Sequence, residues 1–369
     1  MLNCSMVRRL FHLETNNKRG HYQVLGTNNT SNNLRLRPVV RLRPKRGIIK
    51  VDAGRQGAIF LASLRRNGTQ QFVIKVCPTD RRKKIQVSDI EYKIIQKLYR
   101  VVPRRIPKPL GFFKCSGFVP PKTWSDQLSQ YDYTKQTVAC MEYIENGTFG
   151  NYLDRMASSP RKRLTDAVMM SFIRQVIQTL IKIQKRYPHF RHGDLHLDNL
   201  LVRPTKPIPE LVFTDFGWSK LTKTPISSAN YKTTYGIGSN MSPAYDAHLF
   251  LMQLRIWIYQ NDFAARDGFV RTKRFLDKVV PSGFRNENDK YTRNFRLKYG
   301  IRYPLTLRAI LNTRVMGVTQ STLKNARTKR QLLLAYGVGP SPANRVSPFA
   351  TPLAHPNKPT MSVTPRVRK

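Results

Sequence analysis

The residues with the most chemistry in them lie between positions 191 and 217. Arg191-His192-Gly193-Asp194-Leu195-His196-Leu197-Asp198-Asn199 is followed downstream by Asp215-Phe216-Gly217. Asp194 can accept a proton from, or orient, an attacking hydroxyl. Asn199 and Asp215 offer hard oxygen donors suited to Mg²⁺. Upstream, Lys75 sits among apolar residues in Phe72-Val73-Ile74-Lys75. A lysine in that setting needs an anion, and Glu91 is the natural partner. Such a pair can hold an ammonium against nucleotide phosphates. Earlier still, Gly54 and Gly57 mark a turn where backbone can approach phosphate with no Cβ in the way. In this order the residue types suit phosphoryl transfer, which asks little of a protein beyond position and charge neutralisation.

The elements that must carry these groups are legible in part. Ile48–Val51, Ala58–Ser63 and Gln71–Cys77 read as strands, and Asn67-Gly68 is a hairpin signal. Ser88 to Tyr99 reads as a helix with Ile90, Ile94, Ile95 and Leu98 on one face. Ser88 and Glu91 have capping-box spacing. Residues 113–136, with Gly117, Pro120 and Pro121, read as a loop, and Thr137–Tyr143 as a buried strand. The helical period returns over Leu164–Arg186. Leu200–Val202 and Leu211–Phe213 read as short strands. Asp246–Tyr259 is apolar all round, the mark of a buried helix. A β-rich part and a helical part joined after Tyr143 predict two lobes with a cleft between them.

The chain has 369 residues, 65 Lys+Arg and 21 Asp+Glu, for a net charge of +44. Its 40% hydrophobic content excludes collagen-like and wholly disordered chains. The charge predicts attraction to polyanions, nucleic acid or acidic protein among them. The first 50 residues hold eleven Lys/Arg and one acid, Glu14, and no acid follows Asp289. Residues 1–46 read as a basic extension and 337–369 as a disordered basic tail rich in Pro, Ser and Thr. Basic clusters at 35–46 and 324–330 suit phosphate backbones but lack interleaved aromatics. Cys4, Cys77, Cys115 and Cys140 form no C-x-x-C pair and read as reduced thiols of an intracellular protein. No run reaches the ~18 apolar residues a membrane span needs, and no secretory signal opens the chain. His192 and His196 fall on a predicted loop, and with His189 they do not read as a zinc site.

At Lys75, Glu91, Asp194, Asn199 and Asp215 the chain resembles the protein-kinase superfamily, over roughly residues 47–260. The resemblance implies an α+β, two-lobed protein-kinase-like fold. A β-rich N-lobe with one helix (47–143) would precede a mainly helical C-lobe with a basic end (144–336). It implies ATP as phosphoryl donor, Mg²⁺ or Mn²⁺ as cofactor, and Ser/Thr of proteins as acceptor. By it, Lys75 pairs with Glu91 and touches the phosphates, Asp194 is the catalytic base, and Asn199 and Asp215 hold metal. Met141 becomes the gatekeeper, and Glu142, Tyr143 and Ile144 the adenine-binding hinge. Ile59, Val73 and Leu201 sandwich the adenine, Gly54 and Gly57 belong to the phosphate loop, and Asp246 anchors the catalytic loop from below.

Several positions depart from the pattern. Asp52 stands where the first loop glycine is usual, Gly193 where most members have Arg, and His196 where serine/threonine kinases have Lys. No Ala-Pro-Glu follows Asp215-Phe216-Gly217, and the segment around Gly236–Pro243 is abbreviated. The catalytic loop and basic ends resemble kinases of large nucleocytoplasmic DNA viruses, which implies host cytoplasm or virion as the location. His-Gly-Asp-Leu-His is also similar to the aminoglycoside and choline phosphotransferases. A third alternative is a catalytically weak pseudokinase serving as a basic structural or DNA-binding protein.

Overall fold

The computed structural model describes residues 4, 47–54, 57–63, 71–116, 130–159, 164–221, 243–261, 268–280 and 305–313. Five strands form one antiparallel sheet: β1 (Gly47–Gly54), β2 (Gly57–Ser63), β3 (Gln71–Asp80), β4 (Pro109–Ser116) and β5 (Tyr131–Glu142), in the order β1-β2-β3-β5-β4. Helix α1 (Val87–Val101) lies between β3 and β4 in sequence. After the sheet come α2 (Phe149–Ala157), α3 (Asp166–Arg186) and the hairpin β6 (Leu200–Arg203)–β7 (Glu210–Phe213). Helices α4 (Tyr245–Gln260), α5 (Val270–Val279) and α6 (Leu307–Leu311) follow.

The alternation that makes β3 a strand also decides what the sheet presents. Lys75 lies opposite Ile59 on β2 and Ala139 on β5, and Val73 lies opposite Leu61 and Met141. Side chains two apart share a face, so Ile59, Val73, Lys75, Ala139 and Met141 all look one way. Phe60, Phe72, Ile74, Val76, Val138 and Cys140 look the other way and form a small core of their own. Complete burial of each such apolar side chain contributes about 1.5–3 kcal/mol. A second, larger core joins Ile94, Ile95 and Leu98 of α1 and Met141 to the helices and the β6–β7 hairpin. Within it Phe149 packs against Phe172 and Phe250. Helix α4 is buried on every side, Asp246 and His248 included.

Three expectations need correction. Residues 113–136 are not all loop: β4 runs to Ser116 and β5 starts at Tyr131. The Tyr131–Lys135 stretch lacks an apolar pattern and is held by ladder pairing to Thr79, Asp80 and Ser116. The capping box does not form, because the first residue of α1 is Val87 and its N-cap is Gln86. Ser88 instead shares a hydrogen bond with Thr137, 2.7 Å away, and Glu91 turns to Lys75. Cys4 and Cys115 are not free thiols but a disulfide across 111 residues of sequence. Sequence spacing cannot reveal a partner that the folded sheet brings close. Cys77 and Cys140 are free.

Among the described residues no helix is long and apolar enough to cross a membrane. The Asn67-Gly68 turn, the 324–330 cluster, the 337–369 tail, all of 1–46 but Cys4, and 222–242 lie outside the described residues.

Candidate active site

Lys75 projects from the centre of β3 with its Nζ 2.8 Å from both carboxylate oxygens of Glu91 on α1. The same nitrogen lies 3.5 Å from Asp215 Oδ1. Burial works against the Lys75 charge, but the Asp215 and Glu91 carboxylates outweigh it and hold the ammonium above its ordinary pKa. Burial pushes the Glu91 carboxyl up, and the ammonium opposes that push. Lys75 chiefly holds Asp215 below the usual carboxylate range, so Asp215 is ionised at neutral pH. Three charged groups from β3, α1 and the segment after β7 thus converge.

The loop between α3 and β6 carries the second group. Gly193 has φ +83°, a conformation in which an L side chain is strained. Its amide donates to Asp246 Oδ1 at 2.9 Å, and the His192 amide donates to Oδ2 at 2.7 Å. Asp246 is fully buried, which raises its carboxyl, while the His192 and Gly193 contacts oppose the rise. The expected anchor beneath the loop is therefore present as a pair of hydrogen bonds. Above it, Asn199 Nδ2 donates to the Asp194 carbonyl at 2.8 Å. His196 Nε2 stands 3.5 Å from Asp194 Oδ2. His196 Nδ1 accepts from the Asp198 amide at 3.2 Å, where a 3₁₀ turn (Leu197–Asn199) begins. An accepting Nδ1 puts the proton of a neutral ring on Nε2, facing Asp194.

The loop is tied to Asp215 by backbone. The Thr214 amide donates to the Asn199 carbonyl at 3.0 Å, and His192 Nε2 donates to the Thr214 carbonyl at 3.0 Å. Asp215 itself has φ +57°, rare for a residue with a Cβ. Such strain persists where the surroundings over-determine it. Here Phe216 is buried against the His192 ring, 5.0 Å between centroids. Ser219 Oγ donates to the His192 carbonyl, and Arg191 and Lys220 exchange backbone hydrogen bonds.

Among the described residues no group of three or more His, Cys, Asp or Glu is gathered around a point. Asn199 and Asp215 remain a fitting pair for Mg²⁺. The Asn199 amide spends its NH₂ on Asp194, which leaves its oxygen as a donor. Asp215 is ionised with about half its side chain exposed (52%). Mg²⁺ commonly takes one or two protein oxygens and completes its shell from waters and phosphates.

The proposed adenine residues are placed by the sheet register. Ile59, Val73 and Met141 share the Lys75 face, and Tyr143 and Ile144 continue directly from β5. Leu201 lies on β6 and bridges to Thr148, just beyond that segment. Gly54 and Gly57 pair at the open end of β1 and β2. A Cβ on Gly57 would come within 3.0 Å of the Val76 carbonyl oxygen and Cys77 Sγ.

Sequence reasoning missed several supports. The Glu142 side chain accepts from Arg203 Nη2 at 2.8 Å and from the Lys108 amide at 3.0 Å, tying the end of β5 to β6. Thr148 Oγ1 donates to Asp198 Oδ1 at 3.1 Å, and Gln253 on α4 accepts from the Leu197 amide at 3.1 Å. These are ordinary polar residues far apart in sequence, and nothing in their spacing marks them.

The chain matches no protein-family model. It is similar to a putative serine/threonine-protein kinase of Acanthamoeba polyphaga mimivirus, 22% identical over 318 residues, covering 72% of this chain and 67% of the relative.

Proposed function

We propose that this chain is a two-lobed protein kinase that transfers the γ-phosphate of ATP to Ser or Thr of proteins. The observation that carries the reading is the convergence of Lys75, Glu91 and Asp215, with Asp194 and Asn199 held on one loop beside it. In this reading the sheet and α1 form one lobe, the remaining helices the other, and the nucleotide lies between. Lys75, fixed by Glu91, presents its ammonium to the nucleotide phosphates. Asp194 accepts or orients the proton of the attacking hydroxyl. His196 offers its Nε2 proton beside that carboxylate. Asn199 and Asp215 would hold Mg²⁺ or Mn²⁺, which supplies charge neutralisation at the phosphates. Apolar Ile59, Val73 and Leu201 would flank adenine, and Met141 to Ile144 would line its edge. The resemblance to a giant-virus protein supports a viral origin, and with it host cytoplasm or virion as the location.

The test is Mg²⁺-dependent transfer from γ-labelled ATP to casein, to a basic protein and to the chain itself, beside Asp194→Asn. Label on Ser/Thr of protein that falls by at least about a hundredfold in the variant is the expected result, the lower end of what general-base loss costs. Transfer to amino-alcohols or aminoglycosides with none to protein would replace the reading by a small-molecule phosphotransferase. No transfer and no nucleotide binding would leave a basic scaffold.

A further inference from the structure

We propose that the solvent face of α1, with the turn leading into it, binds the phosphate backbone of double-stranded nucleic acid. This surface is separate from the basic ends of the chain, and it does not depend on the phosphotransfer reading.

Helix α1 turns Glu91, Ile94, Ile95 and Leu98 inward. Lys93, Lys97 and Arg100 are exposed. Their i, i+4, i+7 spacing puts them on one stripe about 10 Å long at 1.5 Å per residue. The preceding turn adds Arg81, Arg82, Lys83 and Lys84, all exposed but Lys83, which is half-buried.

The acids nearby are mostly engaged elsewhere. Asp89 pairs with Lys114 at 3.3 Å, Asp80 with Arg82 at 3.4 Å and Glu91 with Lys75. Past the helix end, Glu210 pairs with Arg104 at 2.8 Å. Asp132, on β5, is half-buried and has Arg81 as a neighbouring charge. Among the described residues Lys84, Lys93, Lys97 and Arg100 have no carboxylate within ion-pair distance. Like charges at i and i+4 destabilise a helix slightly. A polyanion laid along the stripe removes that repulsion.

The surroundings favour a duplex over other polyanions. An acidic peptide gains most of its affinity from apolar or aromatic anchors in pockets, and this face has neither. Tyr92 is buried against Phe112, and Ile85 at the margin is the one exposed large hydrophobic residue of the turn and helix among those described. Single strands gain from stacking on exposed aromatics, and Tyr99 is half-buried. A phosphate backbone asks only for spaced cations and is bound through counterion release.

The test compares two variants of the full chain with equal loss of charge. One carries Lys93→Gln, Lys97→Gln and Arg100→Gln. The other carries Lys182→Gln, Lys185→Gln and Arg186→Gln, exposed cations at the end of α3. Binding of a short fluorescent DNA duplex is followed by anisotropy over a salt series, with thermal melting to confirm that both variants fold. The α1 variant should flatten the slope of log K against log salt by about 2–3, at roughly 0.9 for each phosphate no longer neutralised. The α3 variant should leave the slope within about 1 of the unaltered chain. Equal slopes for the two variants would overturn the proposal. So would unchanged duplex binding with loss of polyglutamate binding, which would make the face an acidic-protein site.

Discussion

At Gly193 the backbone turns through φ +83° while its amide donates to buried Asp246. Residues with a Cβ take that conformation at a cost, so the loop favours glycine there. Gly193→Ala should cost about 1–2 kcal/mol, read as a lowered urea midpoint. It should also reduce transfer, because the same amide fixes the loop that carries Asp194. An unchanged midpoint and full activity would mean that the loop tolerates a side chain there. The groups with chemistry were legible in the sequence because carboxylates and a lysine among apolar residues announce themselves by type. The pairing of Arg203 with Glu142 was not, because it exists only once β6 lies beside the end of β5.

Elements tell a similar story. Strand β3 was readable from its alternation, and α4 from a run with no polar face. The first half of β5 was not, since its pairing partners rather than its own residues hold it in the sheet. Helix α4 also buries a titratable group that no pattern flags. His248 is fully buried, and burial lowers its pKa from 6.5 to about 4. Between those values the unfolded chain binds more protons than the folded one. Stability is therefore complete above about pH 6.5 and falls as pH drops through the window, by about 3 kcal/mol in all. Urea midpoints taken from pH 7 down to pH 4 should show this decline. His248→Asn should make it shallower, whatever the variant's stability at neutral pH. Equal slopes would show that His248 is not the group responsible. Buried His192 is lowered in the same direction and accounts for part of the decline that remains.

For the whole molecule, the net charge of +44 pointed to polyanions but to no particular surface. The α1 stripe became visible only when burial separated inward Glu91 from outward Lys93 and Lys97. The cysteines were misread for a comparable reason, because Cys4 and Cys115 meet only through the folded sheet. Disulfides typically stabilise by about 2–4 kcal/mol, and chain entropy puts a loop of about a hundred residues near the top of the range, at about 4.7 kcal/mol. Reductant should therefore lower the melting temperature of the native chain and leave that of Cys4→Ser unmoved; an equal drop in both would locate the effect elsewhere. The bond has a topological side as well. It closes a covalent ring of which β1, β2, β3 and α1 are all part. A protease cutting once anywhere inside that ring opens it without releasing a fragment. Nicked molecules would keep their full mass on a non-reducing gel and come apart only in reductant, so a digest judged without reductant would pass a broken chain as whole.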